Sequence, residues 1–269
     1  MTSTPELVRQ LQNRIRGLEQ ARPATLTAGL VSSGCTALDG LFPAGGLRRG
    51  SLVEWLTAGT GCGAATLALI CARQACQDGG ALVVIDRLRQ VYPPALAAWG
   101  LDLKQVILLI PPTQQDEFWA WDQALRCPGV AAVWGWVEQL DGRRFRRLQL
   151  SAEASDVLGL LIRPAQLRTQ PTWAEVRLEV EGQEAEGLGV AQNSSESCSA
   201  GRRLQVRLLH GRGSTGRGDV QVALDEWTGE LREVREIHAT ATRDLAAQLA
   251  RATTRRQPTG TCGAGGGDL

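Results

Sequence analysis

Short, mostly apolar runs alternate with helical patterns through the first 165 or so residues of the chain. The runs are rich in Val, Ile and Leu, and turn residues or an Asp bound most of them. They cover residues 52–56, 81–85, 106–110, 129–135 and 157–162. Runs of this length and composition are typical of strands that are buried on both faces of a parallel sheet.

Helical periodicity fills the segments between these runs. It covers residues 64–77, 92–99, 116–125 and 143–154. Strands that alternate with helices at this spacing form βαβ units, whose crossover helices cover the faces of the sheet. The pattern therefore predicts an α/β fold with a mostly parallel sheet flanked by helices.

The pattern changes after residue 170. Residues 173–180, 204–208 and 220–224 alternate between apolar and polar positions. Strict alternation is typical of antiparallel strands with one buried and one wet face. Residues 182–201 are rich in Gly, Glu and Ser and predict a flexible loop between the first two of these strands. We expect a C-terminal antiparallel β extension.

The two ends of the chain complete the predicted organisation. Leu7, Leu11, Ile15 and Leu18 recur on one face of a helix over residues 5–22, which packs either on its own domain or on a partner. The predicted division is an N-terminal helix (1–23), an α/β core (24–168), a β-rich extension (169–230), and a tail that is helical and then disordered (231–269).

Composition narrows the class of protein. The net charge is +1, which predicts neither a strongly basic nor a strongly acidic partner, and Lys104 is the sole lysine among 269 residues. Seven scattered cysteines without a CxxC pair indicate neither a zinc site nor a disulfide framework. Glu6 and Arg9 interrupt the N-terminus, and no apolar run reaches about 18 residues. We expect reduced thiols, no metal, no membrane segment and a cytoplasmic location.

A glycine-rich turn over residues 57–63 follows the first apolar run and precedes the first helix of the alternating pattern. Strand, glycine loop and helix is the layout of a phosphate-binding loop, in which backbone N–H groups hold the phosphates. Gly59, Gly61 and Gly63 are the candidate residues, with Thr66 as a hydroxyl if the loop shifts by one residue. The same glycines also suit a tight turn without any ligand.

Several motifs between Val31 and Gln166 occur in the order that a known protein family shows. The strongest is VSSGCTALDGLFPAGGLRRGSLVEW at residues 31–55. It is supported by Val84-Ile85-Asp86 followed by Tyr92-Pro93 and Leu101-Asp102, by the strand ending at Trp134, and by the segments RRLQLSAE and GLLIRPAQ. With these motifs the stretch resembles the RecA-type ATPase core, and most of all the ImuA family. The resemblance implies a RecA-like fold and a role in DNA repair.

The charged residues of a RecA-type ATPase are missing from the matching positions. Ala64 replaces the loop lysine, and Ala65 replaces the Ser or Thr that holds Mg²⁺. Leu88 falls about where RecA-type proteins carry the glutamate that activates water, and Trp134-Gly135 replaces the Walker B aspartate. We therefore expect no ATP hydrolysis and no bound cofactor, with weak ATP binding left open. Three carboxylates are candidate replacements: Glu54, Asp86 and Asp141.

Two arginine clusters are candidates for contact with DNA or with a protein partner. The denser one consists of Arg143, Arg144, Arg146 and Arg147, and the second contains Arg202 and Arg203. Solvated surface positions are the alternative explanation for both. Trp119 and Trp121 cannot share one helical face, so we expect one of them to be exposed.

The resemblance implies a function in damage-induced translesion DNA synthesis. The predicted partners are an ImuB-type relative of Y-family polymerases, an error-prone polymerase with the sliding clamp, RecA, and single-stranded DNA. The first prediction is a non-catalytic adaptor. One alternative is an active RecA-type, DNA-dependent ATPase, and another is a SulA-like inhibitor of the cell-division GTPase.

Overall fold

A computed structural model describes residues 29–59, 61–183, 201–212 and 218–234, all within the unit Met1–Val234. The predicted N-terminal helix, nearly all of the predicted 182–201 loop and the tail beyond residue 234 lie outside these residues. In the described part, no helix has the length and hydropathy needed to span a bilayer.

The described helices and strands follow the predicted alternation. The helices are α1 (Thr36–Leu41), α2 (Ala64–Ala75), α3 (Pro93–Ala98), α4 (Gln114–Leu125) and α5 (Gly142–Ser155), with short 3-10 helices at Leu103–Gln105 and Ala165–Thr169. The strands are β1 (Leu30–Val31), β2 (Leu47–Arg48), β3 (Leu52–Thr57), β4 (Ala81–Ile85), β5 (Val106–Leu109), β6 (Val130–Trp136), β7 (Leu158–Pro164), β8 (Val176–Gly182), β9 (Arg202–Gly211), β10 (Asp219–Leu224) and β11 (Leu231–Glu233).

Within the described ranges, nine strands form one sheet in the order β11-β10-β9-β8-β3-β7-β6-β4-β5. Strands β3 to β8 pair in parallel, and β8 to β11 pair antiparallel. The predicted α/β fold with a mostly parallel sheet is therefore confirmed. The β extension continues the sheet of the core through the parallel pair of β3 and β8. A separate antiparallel pair joins β1 to β2.

Helices cover both faces of the sheet, as the βαβ pattern predicts. Strand β3 illustrates the two faces. Val53 and Trp55 pack in the cluster that contains α2, whereas Leu52 packs in the cluster that contains α4 and α5. Glu54 shares the second face by strand alternation and is fully buried. A strand with two helix-covered faces has no wet side, which explains its nearly continuous apolar sequence.

Two expectations for the β extension require correction. Arg177 and Glu179 were expected on a wet face of β8 but are only 3% exposed, because both carry ion-pair partners and β8 lies next to the central strand. Residues 231–233 were expected in the helical tail but form β11, which pairs with β10. Strand β9 keeps the predicted alternation, with Leu204, Val206 and Leu208 buried.

Candidate functional site

The glycine-rich turn joins β3 to α2 at the carboxyl end of the parallel strands. Gly61 and Gly63 have backbone φ angles of 71° and 92°, which L side chains rarely adopt. A Cβ on Gly63 would lie 2.7 Å from Cδ2 of Leu204, whereas a Cβ on Gly61 would meet no heavy atom within 4 Å. The turn therefore requires Gly63 for its backbone and for contact with β9, and Gly61 for its backbone alone.

One cavity of about 380 Å³ opens above the turn. The predicted binding residues line it together: Gly59, Gly61, Gly63 and Thr66. Ala64 and Ala65 form its wall at the start of α2, so these two positions supply neither a cation nor a hydroxyl. The cavity has the backbone of a phosphate-binding loop without the side chains that usually accompany it.

Two tryptophans occupy the end of β6, where a RecA-type ATPase carries its Walker B aspartate. The Trp134 indole is 3% exposed, and its Nε1 donates a hydrogen bond to the carbonyl oxygen of Ala65 at 3.1 Å. The Trp136 ring lies edge-on to it, with ring centroids 4.7 Å apart, and lines the cavity. A neutral indole thus contacts the first turn of α2 at the place where a carboxylate would hold Mg²⁺.

Arg202 reaches the same cavity from β9. Its Nη2 donates a hydrogen bond to the carbonyl oxygen of Gly61, and its Nη1 lies 4.0 Å from a carboxylate oxygen of Glu226. Arg203 lies on the opposite face of β9 and is exposed. The structure therefore separates the predicted Arg202–Arg203 pair. The sequence carried the signal, because Arg202 has the same parity as the apolar positions of β9.

Glu54 is the centre of a buried ion cluster in the middle of the sheet. Its two carboxylate oxygens each lie 2.5 Å from an arginine, Arg163 of β7 and Arg177 of β8, and Thr172 donates a third hydrogen bond at 2.7 Å. Burial acts to raise the pKa of Glu54, but these partners outweigh it and hold the pKa below its ordinary value. These contacts hold the carboxylate within the sheet, and Glu54 is not among the residues that line the loop cavity.

Asp86 and Asp141 also hold backbone groups. The Asp86 carboxylate accepts hydrogen bonds from the N–H groups of Gln90 at 2.9 Å and Val91 at 2.7 Å, which shapes the turn after β4. Asp141 caps α5 by accepting from the Arg144 N–H at 2.8 Å. Leu88 is 49% exposed and carries no acid or base. None of these three residues is among those that line the loop cavity.

The first arginine cluster lies on α5, beside Phe118 and Trp119 of α4. Arg144 and Arg147 stack over the half-buried ring of Phe118, with their guanidinium carbons 5.2 and 5.7 Å from its centroid. The adjacent Trp119 is 63% exposed, as the pattern predicted for one tryptophan of the pair, while Trp121 is buried. Cations beside an exposed indole form a surface suited to stacking and to phosphate contact.

The four arginine side chains of this cluster differ in the contacts that hold them. Arg147 is held by Asp122, with Nη2 at 2.6 Å from its carboxylate, and this contact lowers the pKa of Asp122 against the opposing effect of burial. Arg146 lies over the ring of Trp173, 4.8 Å from its centroid. Arg143 is exposed at the start of α5. The cluster is one surface, on which Arg144 also pairs with the exposed carboxylate of Asp141 at 3.5 Å.

The described residues contain no group of three or more His, Cys, Asp or Glu side chains that could hold a metal ion. Four of the described cysteines are buried free thiols: Cys35, Cys62, Cys71 and Cys76. Burial raises the pKa of the Cys76 thiol to about 12 and that of Cys71 further still, so both remain protonated at neutral pH.

Comparison with known proteins identifies relatives of this chain. No family model matches the sequence. Protein ImuA of Caulobacter vibrioides, from strains NA1000 / CB15N and CB 15, is 30% identical over 138 residues. That match covers 49% of this chain and 57% of the relative.

The predicted resemblance to the ImuA family is confirmed over that half of the chain. The chain spans little more than half the length of the curated relatives it matches. Among solved structures, the RadB recombinase superposes with a TM-score of 0.57 at 16% identity, covering 77% of this chain and all of that one. At this identity the match shows the fold alone, which is RecA-like.

Proposed function

We propose that this protein is a non-catalytic, RecA-like accessory protein of damage-induced translesion DNA synthesis. It works as an adaptor for an ImuB-type protein and an error-prone polymerase. The similarity to Protein ImuA over half the chain and the RecA-like fold support this function.

One observation carries the non-catalytic part of the proposal: the positions that match the charged loop and Walker B residues of a RecA-type ATPase are all neutral. That reaction needs a cation at the phosphates, a held Mg²⁺ and an oriented nucleophile. Here Ala64, Ala65 and Trp134 stand at the first two of these positions, and the nearby carboxylates of Glu54 and Asp86 hold an ion cluster and a turn.

Phosphate release by the purified full chain tests this function. We expect no turnover of ATP above the rate of a Gly61→Ala variant, with or without single-stranded DNA. Turnover that disappears in that variant would contradict the proposal and favour the alternative of an active RecA-type ATPase. In cells, deletion should lower damage-induced mutation, and Ala65→Ser should behave as the wild type, because adding back the hydroxyl has no catalytic site to complete.

A specific observation favours weak nucleotide binding as a second, compatible property. Arg202 places a guanidinium at the glycine turn, where it is the side chain able to supply the charge that Ala64 lacks. Equilibrium binding of a fluorescent ATP analogue tests it. Arg202→Ala should weaken binding about tenfold, the loss expected of one charge-assisted hydrogen bond. Arg203→Ala is the matched control, since it removes the neighbouring charge on the opposite face.

The arginine–aromatic surface of α4 and α5 is the proposed contact for single-stranded DNA. The exposed ring of Trp119 lies beside guanidinium groups there, and each base has a face that can stack. Fluorescence anisotropy with a labelled oligonucleotide at several salt concentrations tests it. Arg143→Ala and Arg144→Ala together should reduce the salt slope by about 1 to 2, whereas Arg232→Ala, an exposed arginine of β11, should leave it unchanged.

A further inference from the structure

The turn between β10 and β11 presents the most exposed large apolar side chain among the described residues. Trp227 is 84% exposed, compared with 69% for Tyr92 and 63% for Trp119. Because so little of this side chain is buried, removing it would cost the fold almost no packing. Its exposure therefore requires an explanation outside the core, and large exposed aromatic side chains are enriched where proteins bind one another.

The backbone beneath Trp227 is fixed by hydrogen bonds within the turn. The Asp225 carboxylate accepts from the N–H groups of Trp227 at 2.9 Å and Thr228 at 3.1 Å. The Gly229 N–H donates to the Asp225 carbonyl oxygen at 2.9 Å, and the Asp225 N–H donates to that of Glu230 at 2.9 Å. The N–H groups of Thr228 and Trp227 also hold the pKa of Asp225 below its ordinary value. The conformation of the turn is thus set before any partner arrives.

A second contact fixes the turn to the body of the domain. Trp99, at the end of α3, donates from its indole Nε1 to the carbonyl oxygen of Glu226 at 2.9 Å. Gly229 has a φ of 66°, and a Cβ added there would lie 3.2 Å from the Cβ of Trp99. The turn is therefore seated on one tryptophan while it exposes another. Such rigidity lowers the ordering cost of binding through Trp227.

The charge around Trp227 indicates what kind of partner it fits. Residues 225–233 contain four carboxylates and one arginine, Arg232, and Arg202 of β9 reaches Glu226. The Glu226 and Glu230 side chains flank the tryptophan in sequence and are 63% and 61% exposed, and each has an arginine neighbour, Arg202 at 4.0 Å and Arg232 at 3.2 Å. Four carboxylates and two arginines leave a net charge of −2 around Trp227. These carboxylates repel nucleic-acid phosphates and favour a basic protein surface. A tryptophan with an acidic border fits an apolar pocket bordered by arginine or lysine.

We propose that the turn 225–229 is a docking element, whose Trp227 inserts into an apolar pocket with a basic border on a protein partner. The inference rests on the proposed adaptor function, from which the ImuB-type protein is taken as that partner. The α4–α5 surface is a separate site, so docking through the turn leaves the arginine cluster open to DNA.

Binding between the purified full chain and the ImuB-type protein tests the inference, by biolayer interferometry. Trp227→Ala should weaken binding about 30-fold or more, as truncation of an interface hot spot does. Trp227→Phe should recover part of the loss, and Glu226→Lys should slow association. Tyr92→Ala is the matched control, because it removes another exposed aromatic side chain, one that belongs to neither proposed surface, and it should keep the wild-type affinity.

The outcomes separate the inference from the function on which it rests. If the wild-type chain does not bind the ImuB-type protein, the proposed partner is wrong and the inference falls with it. If the wild-type chain binds and Trp227→Ala binds equally well, the adaptor function stands and the docking element is wrong. A change in sedimentation of the chain alone upon Trp227→Ala would show that the turn contacts a second copy instead, which also overturns the inference.

Discussion

The middle of β3 carries a buried charge, whereas the loop that follows it leads into uncharged residues. Glu54 in the middle of the strand is fully buried between two arginines, although a buried ion cluster is costly to desolvate. The loop ten residues further on keeps its glycines but carries alanines where a nucleotide-binding protein needs charge. The same sheet therefore carries charges that join its strands, whereas the helix that follows its loop begins with uncharged residues.

This difference shows what each kind of charge does for the molecule. Glu54 connects three adjacent strands, since Arg163 lies on β7 and Arg177 on β8, to either side of β3. Arg177 Nη1 also binds two backbone carbonyl oxygens, at 3.0 and 2.7 Å, in the segment that follows β7. The cluster fixes the junction of core and extension. At the loop, by contrast, the Trp134 indole binds the start of α2, and Arg202 of β9 donates to the carbonyl oxygen of Gly61.

The largest effect is expected from breaking the buried cluster. Glu54→Gln keeps the volume but leaves two buried arginines without a counter-charge, which should lower the free energy of unfolding by about 3 to 5 kcal/mol. Urea unfolding at neutral pH measures it. Glu230→Gln is the control, because it removes an exposed partner of Arg232 and should cost less than about 1 kcal/mol. Equal stability of the two variants would contradict the structural role of the buried Glu54 cluster.

Acid should weaken the cluster in the wild-type protein. The pKa of Glu54 is lowered in the fold, so its contribution to stability is present above the ordinary pKa of 4.5 and is lost as the pH falls through the lower, folded value. The urea midpoint should therefore fall below about pH 4.5, and more steeply in the wild type than in Glu54→Gln. Burial raises the pKa of Glu117, which acts in the opposite direction, but this contribution is common to both proteins and cancels in the difference.

Much of the fold could be predicted because each buried strand and crossover helix of a parallel sheet has a hydrophobic pattern within its own residues. The apolar run 81–85 is β4 in full, and the predicted helix 143–154 differs from α5 by one residue at each end. The three-residue strand β11 could not be predicted, since its few residues carry no periodicity and its position depends on pairing with β10. Local pattern identifies long elements, whereas short ones depend on contacts distant in sequence.

The surroundings of the site were harder to predict for the same reason. The loop residues form one cavity, as expected from their adjacency in sequence. Arg202 joins them from a position 141 residues beyond Gly61, and Arg163 lies 109 residues from Glu54. Strand parity gives the face on which such a residue lies, but only the strand order places that face beside the loop.

The two loop glycines provide the next test. Gly63→Ala introduces a left-handed alanine whose Cβ collides with Leu204, whereas Gly61→Ala introduces the same backbone strain in open space. We expect a loss of about 1 kcal/mol for Gly61→Ala and about 2 to 3 kcal/mol for Gly63→Ala, measured by urea unfolding. A loss of the same size in both would show that the contact with β9 adds nothing and that backbone conformation alone selects glycine in this turn.

The smallest effect is expected where an indole stands in the place of a carboxylate. Trp134→Phe keeps an aromatic ring between β6 and α2 but removes the Nε1–H that binds the carbonyl oxygen of Ala65. The loss of one hydrogen bond, with the remaining ring somewhat too small, should lower the free energy of unfolding by about 1 to 2 kcal/mol. Trp136→Phe, at a partly exposed ring on the same strand, should cost less.

Trp134→Asp decides the comparison between strand and loop. If it folds and gains Mg²⁺-dependent binding of ATP, the loop lacks only this carboxylate. We expect it to be destabilised by more than Trp134→Phe and to bind no nucleotide more tightly, because Ala64 and Ala65 leave the phosphates and the metal ion without their other partners.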